Sequence, residues 1–173
     1  MMTVFLRRLC WCVSLLLLQV LLLDRFSLFH LVTPVIIMYF VLILDSDISP
    51  AQRMLWGFAM GLISDLFVNT PGVQAASLTL VAYLQPSILR LYASFDRRTK
   101  FEPGLALMDF GPYVLYLTTG TLLFHFASVL LRVSAGTTFL NIVIRIAAGT
   151  LLSVVMMVLV ELLMREKRRK SYR

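Results

Sequence analysis

Cysteine and histidine are scarce in this sequence, two of each in 173 residues, and charge is scarce with them at 14%. Ordinary soluble domains carry about 25% charged residues. Each shortage excludes something. Cys10 and Cys12 cannot form a disulfide framework or a zinc set. A Cys-x-Cys pair is at most a copper-type ligand set, and small polarisable packing residues at a helix end are the better account. Two histidines fall short of the three or four ligands of a usual zinc site. Gly-x-Ser-x-Gly, His-Glu-x-x-His and a phosphate-cradling glycine loop are all missing. Neither enzyme activity nor a cofactor or metal is therefore expected. Internal repeats and low-complexity linkers are missing too.

Hydrocarbon is what the chain has in excess. Sixty per cent of its residues are hydrophobic, against roughly 45–50% in soluble domains. A soluble domain of this size cannot hide so much apolar surface. Crossing a bilayer takes about 20 apolar residues, and six apolar runs approach that length: 9–23, 26–44, 54–68, 73–91, 105–131 and 139–164. The expectation is an all-α, polytopic integral membrane protein. Six transmembrane helices form one domain over 1–164, and a basic tail follows over 165–173. Pro34, Pro86 and Pro112 fall inside runs and mark expected kinks. Asn69-Thr70-Pro71-Gly72 has the residue types of a tight turn. Arg7 and Arg8 before an apolar run imitate a signal peptide, but no small-x-small cleavage site follows, so the run is read as a retained first helix.

Positive charge orients the spans. With the N-terminus in the cytoplasm and six crossings, the cytoplasmic segments hold Arg7, Arg8, Arg53, Arg90, Arg97, Arg98, Lys100 and the six basic residues from Arg165 to Arg173. The outer segments hold Arg25 and Arg132, and Arg145 lies inside the sixth span. Five crossings would put one of the basic ends outside. Both termini are thus expected in the cytoplasm. The same bias accounts for the net charge of +7 without nucleic acid. The tail reads as an orientation signal and interfacial anchor, with anionic lipid or a cytoplasmic partner as the sharper alternative.

Ionisable groups inside spans are expensive and normally face a bundle interior. Asp65 and Arg145 both fall in the outer third of the bilayer by helix rise, and His30, His125 and Asn141 share that layer. An outer-leaflet polar cluster is expected, with Asp65 and Arg145 neutralising one another. As a register-fixing pair it is structural; as a ligand or proton site it would need further polar groups to make a path. Asp109 and Glu161 read as interfacial. Gly57-x-x-x-Gly61 with Asp65 four residues on forms one helical face that admits a close neighbour. Small residues also line the fourth span (Ala75, Ala76, Ser77, Thr79, Ala82) and the sixth (Ala147, Ala148, Gly149, Ser153). Spans three, four and six are therefore expected at the packed centre, and the leucine-rich first span at the periphery.

The stretch from Gly57 through Gly61, Leu62, Asp65 and Leu66, across Asn69-Thr70-Pro71-Gly72, to Ala75-Ala76 and Val81-Ala82-Tyr83-Leu84 resembles the central signature of the rod-shape-determining MreD family. About thirty residues carry the likeness. Thr33-Pro34 and Pro86 look like Bacteroidetes-type members, whereas Gln74 and Asp45 stand where such relatives carry histidine and proline. The resemblance implies a small multi-pass protein of the bacterial inner membrane with no catalytic role. It would bind MreC and help couple MreB filaments to RodA and a penicillin-binding transpeptidase in peptidoglycan synthesis. By the same resemblance Gly57, Gly61, Asp65 and Gly72 are the structural and interface residues. The rival class is the substrate-binding subunit of an energy-coupling-factor vitamin transporter, similar in length and span number. The Ala-x-x-x-Ala that docks such subunits is missing from the first span, which contains no alanine.

Overall fold

The structure, a computed structural model, describes residues 19, 35–45, 48–93, 103–105, 108–132 and 139–171, with the backbone alone over 164–171. His30, Pro34 and the first expected span apart from Gln19 lie outside the described residues. The described residues form helices and no strand: α1 (Ile37–Leu42), α2 (Pro50–Val68), α3 (Val73–Tyr92), α4 (Phe110–Arg132) and α5 (Phe139–Ser171). Two helical segments, Phe110–Arg132 and Phe139–Leu163, are long and apolar enough to cross a membrane, with mean hydropathies of 1.7 and 2.4. At 19 and 20 residues, α2 and α3 run to about 28–30 Å at 1.5 Å per residue, close to the hydrocarbon thickness of a bilayer.

Local signals set the helix ends. Helix α2 begins before its apolar run because Ser49 caps it, its Oγ accepting Gln52 N–H at 3.3 Å, with Pro50 at the first helical position. It stops at Asn69, whose φ of 55° is left-handed, and Gly72 follows with φ of 78°. Pro112 lies in the first turn of α4, where a proline costs little, so it helps start a helix and does not kink one. Pro86 does sit inside α3. Helix α5 continues past its apolar stretch into the basic tail as far as Ser171.

Consecutive long helices pack against one another, α2 on α3, α3 on α4 and α4 on α5. The centre is α1. Its sequence, IMYFVL, is apolar all round, and a helix without a polar face is stable only when enclosed. All six residues are buried. They lie against α2, α3 and α4, and Tyr39 donates to Glu161 of α5. Gly120 of α4 leaves room for Leu42, whose Cδ2 would lie 2.8 Å from a Cβ there. Of the three spans expected at the centre, α2 and α3 pack on one another, and α5 packs on α4 with Gly149 and Ser153 buried and Ala147 exposed. Polarity is inverted relative to a soluble domain. Leu66, Leu151 and Phe139 are 77, 70 and 78% exposed, while Arg53, Asp65, Gln85 and Ser153 are buried.

The glycine face of α2 meets α3 directly. A Cβ on Gly61 would lie 2.4 Å from Ala75 Cα and 2.6 Å from its N, and one on Gly57 would lie 2.9 Å from Leu78 O. Backbone cannot yield as a side-chain tip does. Gly61→Ala is expected to destabilise the full chain in detergent by about 1–3 kcal/mol, read as a lowered thermal midpoint. Gly111→Ala, where a Cβ meets nothing within 4 Å, should leave the midpoint unchanged or raise it.

Candidate functional site

Two sets of polar side chains lie within the apolar bundle, and both serve helix ends. The first turn of any α-helix leaves N–H groups without partners and the last leaves carbonyls. In apolar surroundings each must find a donor or acceptor. Helix α3 begins at Gly72, which has no side chain to cap it. Asp65 of α2 supplies the cap across the turn. Its Oδ1 accepts Gln74 N–H at 3.0 Å and Thr70 Oγ1–H at 2.7 Å, and its Oδ2 accepts Ala75 N–H at 2.9 Å. The carboxylate is 4% exposed and faces the positive end of the α3 dipole. Gly61 makes this possible, since its lack of a Cβ brings Ala75 within reach.

The second set encloses α1. At its start, Val35 N–H donates to Ser153 Oγ at 2.9 Å and Ile36 N–H to Gln19 Oε1 at 2.8 Å. At its end, Leu42 O accepts Tyr116 OH at 2.7 Å and Gln85 Nε2 at 3.3 Å; the same amide reaches Leu44 O at 3.3 Å. Arg53 continues the series, its Nη2 donating to Asp45 O and Ile48 O, both at 3.2 Å. Glu161 ties the loop before α4 to α1, with Oε1 accepting Leu105 N–H at 3.2 Å and Oε2 accepting Tyr39 OH. Its side chain is partly buried. Three helices and Gln19 thereby hold one six-residue helix at its two ends, and Arg53 of α2 holds the chain just beyond it.

The expected outer cluster divides into separate parts. Asp65 and Arg145 are not a neutralising pair: the carboxylate's partners are Thr70, Gln74 and Ala75, and Arg145 is exposed on α5 together with Asn141. The physical reason is proximity along the hairpin, which gives Asp65 three donors before any cation from α5 is needed. Arg132, counted in the sequence as an outer-segment charge, is the residue within electrostatic range of both Asp65 and Arg145. His125 is buried between α4 and α5, with Nε2 3.3 Å from Ser153 Oγ. Gly149 makes room for its ring, as a Cβ there would lie 2.7 Å from Cε1. Serine beside imidazole is the pairing of a nucleophile with its base. Here the serine is fully enclosed and its oxygen already holds Val35 N–H, so the pair clasps α1, α4 and α5 together. Gly57 and Gly61 are helix-packing residues within this chain, and Gly72 serves the turn.

As a set, Gln19, Arg53, Gln85, Tyr116, Ser153 and Glu161 escape sequence reasoning. A signal exists for Gln19 and Gln85, each an isolated amide in an apolar run, because a polar side chain there must bond to something. What it bonds to depends on where α1 ends. No protein-family model, curated protein or solved structure matches this chain.

The geometry separates capping from ion pairing. Asp65→Ala is expected to cost about 2–3 kcal/mol, the weight of a cap whose bonds are charge-assisted, and to speed amide exchange at Gln74 and Ala75. Arg145→Glu should leave both unchanged, whereas a direct pair would make the two substitutions equally harmful. Tyr116→Phe removes a donor from Leu42 O without changing the packing, and a loss of about 1–3 kcal/mol in the same melts is expected.

Proposed function

We propose that this chain is a non-enzymatic, multi-pass scaffold of the bacterial inner membrane, acting in the rod or elongation complex that governs cell shape and peptidoglycan synthesis. In this reading six helices cross the membrane with both termini in the cytoplasm. The chain binds MreC and, directly or through it, MreB, RodA and a penicillin-binding transpeptidase. The observation that carries the proposal is the unit formed by the residues of the MreD-like signature. Gly57, Gly61, Asp65, Thr70, Gly72 and Ala75 make one hairpin in which two helix backbones touch and a carboxylate from one caps the other. A family signature is expected to consist of residues that other types cannot replace, and Gly61 and Asp65 meet that condition by contact distance and by donor count.

The mechanism is positional. The polar groups described above are spent on helix ends, which leaves a stiff interior and an apolar exterior. Exposed Leu55, Phe58, Leu62 and Leu66 recur every three or four residues along α2, so the outward side of the hairpin is a continuous apolar stripe. A single-span partner such as MreC would lie along such a stripe by van der Waals packing. The inverted polarity and the two membrane-length helices support the location, and the bias of basic residues supports the orientation.

Affinity purification of the full chain from its native membranes in mild detergent is expected to recover MreC and further elongation proteins. Arg145→Glu should recover them equally, since Arg145 is an exposed residue of α5 and no part of the hairpin. Recovery of an ATPase-coupled transporter subunit, or of a bound vitamin-like molecule without cell-wall proteins, would replace this reading with that of a vitamin-transporter subunit.

A further inference from the structure

Two guanidinium groups converge where α4 ends and α5 begins. Six residues join these helices, a reach of at most about 25 Å against about 35 Å for α4, so α4 and α5 run antiparallel. The contact of the His125 ring with Gly149 sets their register. Counted from that contact, Arg145 lies about 6 Å towards the connection and Arg132 about 10 Å. The Cα–Cβ bond of a helical residue tilts towards the N-terminus of its helix. Arg132 therefore leans back from the connection and Arg145 leans towards it, which brings the two side chains to one level. They are within electrostatic range of each other. Among the described residues neither guanidinium takes part in a hydrogen bond or an ion pair. Asp65 is in range of Arg132, but its oxygens already hold three donors. Two cations against one carboxylate leave an excess of positive charge.

The surroundings say what kind of anion answers that charge. Both arginines are exposed, and so is the carbon around them, with Leu130, Leu140 and Ile144 at 65, 64 and 44%. Arg145 lies about 9 Å inside the membrane-length segment that begins at Phe139, where an ion facing lipid is costly without a counter-ion. A lipid phosphate is the anion within reach there, and guanidinium binds phosphate through paired, charge-assisted hydrogen bonds. A second polar group lies deeper. Thr150 lines a groove of about 580 Å³ between α4 and α5, whose walls include Phe110, Leu122, Val154 and Leu159. Thr118 of the same groove turns its hydroxyl onto Val114 O at 2.8 Å. Thr150 does not: it is 6% exposed and its Oγ1 is buried without a hydrogen-bond partner. In walls of carbon such a hydroxyl calls for a polar atom from an occupant. Thr150 is five residues from Arg145, about 7.5 Å along the axis. A glycerophospholipid presents two oxygen groups in this order, a phosphate and, one glycerol unit deeper, an ester carbonyl, with hydrocarbon beyond. We propose that Arg132 and Arg145 bind the phosphate of one anionic glycerophospholipid, whose ester carbonyl meets Thr150 and whose acyl chain follows the groove away from the α4–α5 connection. The proposal rests on the membrane location of the chain and on none of its proposed protein partners.

Native mass spectrometry of the detergent-purified full chain, titrated with phosphatidylglycerol or phosphatidylcholine, tests this. Wild type is expected to retain phosphatidylglycerol with a roughly tenfold or greater preference, the weight of two arginines at an anionic headgroup. Arg132→Gln with Arg145→Gln should abolish the preference, and each single variant should reduce it, which serves should the double variant fail to fold. Arg90→Gln removes an exposed cation of α3 that is no part of this site, and should leave the preference intact. Thr150→Val keeps the shape and removes the hydroxyl. It should lower phosphatidylglycerol retention about threefold or more, with a thermal midpoint unchanged or raised. A dialkyl ether phosphatidylglycerol lacks the ester carbonyl and should be retained equally by wild type and Thr150→Val. Equal retention of the two headgroups by wild type would overturn the proposal. So would a loss in Arg90→Gln that matches the double variant, which would mean a nonspecific grip on charge. If Thr150→Val treats ester and ether lipids alike, the carbonyl does not meet the hydroxyl and the proposal fails. Recovery of MreC bears on none of these outcomes.

Discussion

Peptide groups without water must find partners inside the protein, and this constraint organises the molecule. Helix α1 is only six residues long, so a large share of its N–H and C=O groups belong to its ends and cannot be satisfied within it. Left bare in apolar surroundings, each such group costs on the order of several kcal/mol. The buried polar side chains follow from that need. Gln19 and Ser153 receive the N–H groups at one end, and Tyr116, Gln85 and Arg53 donate to the carbonyls at and beyond the other. Asp65 meets the same need for α3.

The two capped regions differ in how they fix the fold. In the α2–α3 hairpin, cap and recipient are ten residues apart or fewer, and the glycine face brings the backbones into contact. That unit is nearly self-sufficient. Around α1, the partners come from several elements distant in sequence, and the short helix aligns α3, α4 and α5 by bonding to all of them. Glycine serves both regions by removing bulk: Gly61 admits a backbone, Gly120 a leucine and Gly149 an imidazole.

Much of this is legible in the residues. Apolar runs locate α3 to within a residue, and the Gly57, Gly61 and Asp65 spacing identifies the side of α2 that packs closely, because helical periodicity depends on local sequence alone. The extent of α1 is not legible. The run over 26–44 shows no break at residue 42, since the helix ends where carbonyls are taken by Tyr116 and Gln85, and nothing local announces that. Arg53 reads from sequence as an orienting surface charge because counting charges cannot distinguish a guanidinium in water from one turned onto backbone carbonyls. Pairing Asp65 with Arg145 treats depth in the membrane as proximity. Two groups at one depth on different helices need not face one another, and the turn beside Asp65 offers nearer donors.

The placement of α1 also imposes an order on biogenesis. Its two ends are completed by groups 74 and 118 residues further along the chain, from Tyr116 and Ser153. A ribosome that has finished α3 has released α1 with part of its backbone still unsatisfied, while the neighbouring hairpin already has its own cap. The hairpin can therefore settle during synthesis. The centre of the protein becomes its last part to be finished, held in a provisional arrangement until α5 emerges.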